Sequence, residues 1–499
     1  MSLPRIDRVG TAIIVVLLGG YCAQAIPHRY VGMSPDAARF AQHHDSFVPK
    51  RMHELGIPGV AVAFVDHGEV VWAKGYGVAD KATGTPTTPE TVFQAASISK
   101  SVTAWGVIRL VQQGKLALDA PAEQYLTRWR LPPSKFDNSG VTIRRLLSHT
   151  AGLSAHAYLG SEPTQPLPTL EQSLSGETED IGDVHVEMQP GTRFGYSGGG
   201  YTLLQLIVEE VTHEKFSDYM WREVLQPLGM EHSSFEWTPD VQAVTARPYD
   251  QFGNRLPNYV YTAKAAAGLY TTASDLARFV AAGMMGPNGE VVGRGVVVPG
   301  MFRQMTTAAP ATNGTYGLGF QIQRLPGGLH LVYHPGSNRG WSAVFAELPE
   351  KSEGVVVLTN SDSGEVLATQ IAVALPAQSL YRAMLWIAVG LGMLLVPFVG
   401  WIWFRLRNGR TRWGWGAAKP GWLKMGCIVA LALVASVWWL SWYSDVLVRA
   451  IAGLKGVVPA DEMPSTFQWL TAALTLWCLG GIASCLTSAA HLVALLEAA

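Results

Sequence analysis

Ser97 and Lys100 stand three residues apart in Phe93-Gln94-Ala95-Ala96-Ser97-Ile98-Ser99-Lys100-Ser101. On a helix that spacing puts both side chains on one face. A serine hydroxyl is a weak nucleophile until a base takes its proton, and a lysine serves as that base only where burial or a neighbouring cation disfavours its charge. The run from Ser101 through Trp105 and Val107 to Leu110 and Val111 reads as a buried helix, which offers a route to such desolvation. A pattern with two fixed positions in four arises often by chance, and alone it is more commonly a helix start with an exposed lysine.

A second feature is Gly191-Thr192-Arg193-Phe194-Gly195-Tyr196-Ser197-Gly198, between a Pro-Gly turn and a helix beginning near Tyr201. A tyrosine on a tight glycine-bounded loop can place its phenol in a cleft, where a nearby lysine cation favours the phenolate and makes it a usable general base. The same stretch matches G-x-S-x-G, the nucleophile elbow of α/β-hydrolases, through Gly195-Tyr196-Ser197-Gly198-Gly199. That elbow needs a strand feeding it, βαβ units, and an Asp then a His downstream. The segment before Gly195 is not a convincing strand, and the elbow is set aside. Third comes His334-Pro335-Gly336-Ser337-Asn338, directly after a strand over Leu329 to Tyr333. A polar side chain and a glycine at a strand edge can line a cleft, and the backbone N–H of Ser337 could join that of Ser97 as an oxyanion hole. No metal-ligand spacing such as H-E-x-x-H accompanies any histidine, and neither a metal nor a cofactor is expected.

The elements that must position these residues follow from periodicity. Ser34-Pro35-Asp36 opens a helix running to Leu55, ended by Gly56 and Pro58. Gly59 to Val65 and Val70 to Gly77 read as a hairpin turning at Asp66-His67-Gly68. From Leu116 to about Ala265 the pattern is mostly helical and broken by loops, including a Pro/Ser/Thr-rich loop from Gly160 to Ser175. Ser274 to Met284 is a further helix. Strands return at Gly317 to Arg324, Leu329 to Tyr333, Ser342 to Leu348 and Val355 to Asn360, and their short connections imply antiparallel pairing. The expected fold class is therefore α/β in the broad sense (α+β): one antiparallel sheet flanked by helices, with a helical subdomain at its side and a site at the junction.

The chain has 499 residues, is 48% hydrophobic and carries a formal net charge of -1. That balance, with no basic stripe in the globular part, gives no support to a nucleic-acid partner. Its four cysteines, Cys22, Cys427, Cys478 and Cys485, all lie in apolar terminal segments, which excludes a disulfide framework or cysteine-ligated zinc in the globular region. Arg5 and Arg8, an apolar run from Val9 to Gly20 and then Ala23-Gln24-Ala25 read as a signal peptide over residues 1–25, cut after Ala25, with an N-terminal anchor as the alternative. Tyr21 before Cys22 argues against lipoprotein processing. A globular domain over 30–378 is followed by apolar runs at 383–404, 425–443 and 467–486, each close to the roughly 20 residues that cross a bilayer. The loop 405–424 carries Arg405, Arg407, Arg410, Arg412, Lys419 and Lys424, which places it in the cytoplasm. The expectation is an inner-membrane protein with a periplasmic domain and a cytoplasmic C-terminus.

The order Ser-x-x-Lys, Tyr-Ser-Gly, His-Pro-Gly resembles that of the penicillin-recognising serine hydrolases of the class C β-lactamase type, which include D,D-peptidases, D-aminopeptidases and esterases. Leu146-Leu147-Ser148-His149-Thr150-Ala151-Gly152-Leu153, Gln226-Pro227-Leu228-Gly229-Met230 and Ala267-Gly268-Leu269-Tyr270-Thr271-Thr272-Ala273-Ser274-Asp275-Leu276 extend the resemblance over Met33 to about Gln378. It implies a β-lactamase-like fold, Ser97 as the acylated nucleophile, Lys100 and Tyr196 sharing proton transfer, and His334 to Gly336 as the cleft-edge strand. His149 and Asp275 belong to its signatures as structural residues. Two departures bear on substrate: Gly198 stands where the family's Tyr-x-Asn has Asn, and His334 where β-lactamases carry Lys. The whole-chain layout is similar to that of the colibactin peptidase group, membrane-bound peptidases that remove an acylated D-amino-acid leader from an exported precursor. The resemblance thus implies an acylated D-amino-acid substrate and a bilayer partner, with dimerisation explaining the spans equally well. Gln94 and Asn338 are candidates for holding a polar substrate group. A D,D-carboxypeptidase or β-lactamase-like hydrolase of cell-wall peptides, an esterase, and a sensor without turnover are the alternatives.

Overall fold

Ser34 accepts the Ala37 N–H and Pro35 sits in the first turn, so α1 (Pro35–Leu55) starts there, and Gly56 stops it at φ 67°. This and all that follows come from a computed structural model that describes residues 33–177, 182–325 and 328–375. The described residues all fall in one unit ending at Leu375. β1 (Gly59–Asp66) and β2 (Glu69–Asp80) pair antiparallel from Gly59↔Gly77 to Asp66↔Glu69. His67 and Gly68 both have positive φ, 53° and 68°, as a two-residue hairpin turn with the right twist requires.

After β3 (Thr85–Pro86) and β4 (Phe93–Gln94) come α2 (Ile98–Gln112), a region of short helices, and α3 (Gly198–Thr212). Then follow β5 (Tyr270–Thr271), α4 (Ala273–Ala282), β6 (Gln321–Arg324), β7 (His330–Asn338), β8 (Trp341–Leu348) and β9 (Glu353–Thr359). A helix over 364–375, α5, ends the described residues. The main sheet has the order β3-β2-β1-β9-β8-β7-β6 and is antiparallel throughout. Side chains alternate across it. Val60, Val62 and Phe64 face Phe40, Val48 and Met52 of α1 with Leu367 and Ile371 of α5. Ala61, Ala63, Val65, Phe345 and Leu358 face Trp105 of α2, Leu203 of α3 and Phe279 of α4. All eight residues of β1 are buried. Each large side chain so buried contributes about 1.5–3 kcal/mol relative to exposure.

The antiparallel sheet with a helical subdomain is as expected, but three details differ. The strand expected over Leu329 to Tyr333 continues to Asn338, because β8 keeps pairing with it as far as Asn338↔Trp341 and overrides the turn-like composition of His334-Pro335-Gly336-Ser337-Asn338. The strand expected from Gly317 starts only at Gln321. Phe93↔Thr271 and Gln94↔Tyr270 form a small second sheet that periodicity over two residues cannot reveal. The signal segment and the runs at 383–404, 425–443 and 467–486 lie outside the described residues. Among the described residues, no helix is long and apolar enough to cross a membrane.

Candidate active site

From Thr91 to Ile108 every residue is buried except Ser97. Ser97 is the N-cap of α2, and Ala96 before it has φ 49°. A left-handed conformation is unfavourable by about 1–2 kcal/mol for a residue with a Cβ, so the turn must be held from outside. The Ala95 N–H donates to Leu269 O at 2.8 Å, and the Ser99 and Lys100 N–H groups donate to Ala96 O and Ser97 O at 2.9 and 3.0 Å. The Ser99 hydroxyl donates to Ala96 O at 2.5 Å and accepts the Leu269 N–H at 2.9 Å. This bracing leaves Ser97 as the one accessible residue of the run.

Lys100 is 3% exposed. Its Nζ donates to Ser97 Oγ at 3.1 Å and to Ala266 O at 2.7 Å, and among the described residues it pairs with no carboxylate. Its Nζ also faces the half-buried ring of Tyr196, 4.9 Å from its centroid. Tyr196, more than ninety residues further along the chain, thus lies beside the Ser97–Lys100 pair. The neighbouring Ser197 is only 3% exposed. Its hydroxyl caps α3, accepting the Gly200 N–H at 3.1 Å and donating to Ser154 O at 2.6 Å, so it is no elbow nucleophile.

β7 forms the facing wall. A Cβ on Gly336 would stand 2.2 Å from Ala95 O, so only glycine lets the strand touch the turn before Ser97. β6 leaves β7 at Gln321↔Tyr333, and among the described residues 334–338 pair with β8 alone, which keeps one edge open to a substrate backbone. Ser337 is exposed there. The His334 ring instead lies beneath the strand. It is 1% exposed, its Nδ1 donates to Pro335 O at 2.7 Å and its Nε2 accepts the Tyr316 hydroxyl at 3.0 Å. Burial, then the nearby Lys100, lowers its pKa to about 3, so the ring is neutral.

Gln94 and Asn338 come together, but their amides are engaged with the protein. Asn338 Nδ2 donates to Gln94 Oε1 at 2.9 Å and Ala267 O at 3.1 Å, while Gln94 Nε2 donates to Tyr259 O at 2.7 Å. The pair thereby ties β4, β7 and the 259–267 segment around Ser97. Asp275 is fully buried and accepts the His232 N–H and the Ser233 hydroxyl, at 2.7 and 2.9 Å, a bracing role.

Sequence reasoning missed Tyr158. Its hydroxyl bonds that of Thr202 on α3, and a Cβ at Gly198 would lie 2.8 Å from its Cε2 and 3.2 Å from its Cδ2. The ring therefore fills the space beside Gly198. No spacing signal marks Tyr158, because a loop residue contacts α3 only through the fold. Gly198→Asn is expected to destabilise the protein by about 1–3 kcal/mol through overpacking, and Tyr158→Ala to relieve most of that in the double variant. Urea unfolding of the single and double variants checks this: a coupling below about 0.5 kcal/mol would show independent sites.

The model of the family described as Beta-lactamase matches residues 44–378. Protein flp of Staphylococcus aureus (strain NCTC 8325 / PS 47) is 26% identical over 333 residues, 64% of this chain and 63% of its own, so the match spans less than two thirds of that relative. Esterase EstB of Burkholderia gladioli is 32% identical over 213 residues, 40% of this chain and 53% of its own. The octameric penicillin-binding protein homologue from Pyrococcus abyssi superposes with a TM-score of 0.58 at 29% identity, covering 68% of this chain and 77% of that one. The D-alanine carboxypeptidase AmpC from Burkholderia cenocepacia shares the fold, with a TM-score of 0.54 at 22% identity over 66% of this chain and 97% of its own. With the family model matching well over half of its length, the chain belongs to the beta-lactamase family and is a serine hydrolase.

Proposed function

We propose that this hydrolase is a membrane-anchored, extracytoplasmic peptidase that cleaves an amide next to a D-amino acid and removes an N-acyl-D-residue leader from an exported precursor. The observation that carries the chemistry is the accessible Ser97 in an otherwise buried run, with Lys100 Nζ 3.1 Å from its Oγ. Ser97 Oγ attacks the amide carbonyl while its proton passes to the Lys100–Tyr196 pair, and the backbone N–H groups of Ser97 and Ser337 hold the oxyanion. The C–N bond breaks, the pair returns the proton to the departing nitrogen, and water hydrolyses the ester to release the N-acyl-D-residue and restore Ser97.

Two features favour an acylated amide over a substrate bearing a carboxylate beside the scissile bond. His334 is buried and neutral, so the strand presents no cation at that position. The Tyr158 ring beside Gly198 offers an apolar wall. The D-configuration rests on the resemblance to D,D-peptidases and D-aminopeptidases. Anchoring rests on the apolar runs at 383–404, 425–443 and 467–486 and on the basic loop at 405–424. A second reading, an esterase, is favoured by the 32% identity to EstB.

Turnover of N-acyl-D-Xaa and N-acyl-L-Xaa amides, acyl-D-Ala-D-Ala and short p-nitrophenyl esters, followed by mass spectrometry with Ser97→Ala as the blank, separates these readings. Among the amides, cleavage confined to the D-forms, with release of the acyl-D-residue, is expected. Preference for D-Ala-D-Ala moves the protein to cell-wall chemistry, and ester turnover alone makes it an esterase.

A further inference from the structure

His149 has no part in the proton path above, yet it brackets the tyrosine that does. Its carbonyl oxygen accepts the Gly195 N–H at 2.8 Å, and its Nδ1 accepts the Ser197 N–H at 3.1 Å. These are the N–H groups of the two residues that flank Tyr196. Its ring lies 4.2 Å from the Tyr196 ring, tilted by 37°. Phe194, Tyr201 and Tyr316 surround it at 5.9, 5.2 and 5.0 Å.

Three features of His149 are unfavourable in isolation. It is 2% exposed. It sits at φ 56°, left-handed for a residue with a Cβ. Because Nδ1 accepts, the neutral ring carries its proton on Nε2, and Nε2 is buried without a hydrogen-bond partner among the described residues. An unmet buried polar group is destabilising by about 1–3 kcal/mol. A leucine or phenylalanine would fill the space without that penalty, but neither could accept the Ser197 N–H. Burial, and after it Lys100, His334 and His156, keeps the ring neutral and so keeps Nδ1 an acceptor.

We propose that His149 is the positioning residue of Tyr196: its carbonyl and Nδ1 hold the N–H groups of Gly195 and Ser197 while its ring packs against the Tyr196 ring. This rests on the proposed role of Tyr196 in proton transfer. Asparagine is the conservative replacement, because its Oδ1 stands where Nδ1 stands, one bond beyond Cγ, and it tolerates the left-handed conformation.

The test compares the full chain carrying His149→Ala or His149→Asn with wild type. It reads the p-nitrophenyl acetate burst, the melting temperature, and the ¹³Cζ-tyrosine NMR signal of Tyr196, assigned through Tyr196→Phe. His149→Ala is expected to lower kcat about 100-fold with KM within about threefold, as a misplaced catalytic group does, and to shift or broaden the Tyr196 signal. His149→Asn is expected to restore both to within about fivefold of wild type, a loss small against the 100-fold expected of a misplaced group. An unmoved Tyr196 signal in His149→Ala overturns the proposal. So does a His149→Asn variant that melts like wild type yet loses more than about 30-fold, which decides the matter even if the alanine variant does not fold. Full activity in Tyr196→Phe would instead sink the proton-transfer role, leaving the clamp to be judged by the Tyr196 resonance.

Discussion

Lys100→Met is expected to leave a folded protein whose Ser97 acylates about 10³-fold more slowly, within the range a positioned general base supplies. Methionine matches the lysine stem in length, so the packing around α2 survives. Ala266 O loses the donor it has at 2.7 Å, a loss of about 1–3 kcal/mol, partly offset because an amine 3% exposed, with no carboxylate partner among the described residues, is removed from the interior. The measurement is the p-nitrophenol burst together with the mass of the acyl-enzyme, against the melting curve. A variant that acylates at the wild-type rate would place the proton acceptor elsewhere, since among the described residues Lys100 is the side chain seen within hydrogen-bond distance of Ser97 Oγ.

The second large effect is on stability and lies far from Ser97. Glu347 on β8 is 2% exposed, its Oε1 has no hydrogen-bond partner among the described residues, and its Oε2 lies where a Cβ on Gly283, just past α4, would be 2.7 Å away. Burial, then the nearby Glu350, pushes its pKa up to about 8. Between the ordinary glutamate range and about 8, the folded protein keeps a proton that the unfolded chain has released. Stability therefore falls as pH rises through that window and is flat on either side. The full shift corresponds to at most about 5 kcal/mol. Glu347→Gln keeps the shape without the titration, so it is expected to flatten the slope and to be more stable than wild type above pH of about 8. Urea midpoints across the window, wild type beside variant, check this; parallel slopes would mean that the carboxyl is already ionised in the folded state.

What was legible in the sequence follows from range of interaction. The hairpin from Gly59 to Gly77 and the helix after Ser97 are local, set by alternation, turn residues and an apolar run. The meeting of Ser97, Lys100 and Tyr196 was legible only because motif order stood in for distance. The burial of His334 was not legible, because Tyr316 and the inward side of β7 come from different segments. Nor was the Gln94–Asn338 bond: those residues lie 244 positions apart, and exposed candidates for substrate recognition look the same in sequence as residues tying two strands together. Tyr158 and the two-sided hold of His149 on Tyr196 were hidden for the same reason.

The open edge of β7 has a bearing on self-association. An unpaired strand edge is a template for any extended segment, including one from another copy of the protein. Here the unpaired stretch, 334–338, is short, and its second residue is Pro335, which has no N–H to donate. The Pro335 carbonyl is already taken by His334 Nδ1 at 2.7 Å. The edge is thus blunted at 335 and usable only from Gly336 to Asn338, long enough for a short ligand and too short to nucleate a growing ladder between copies.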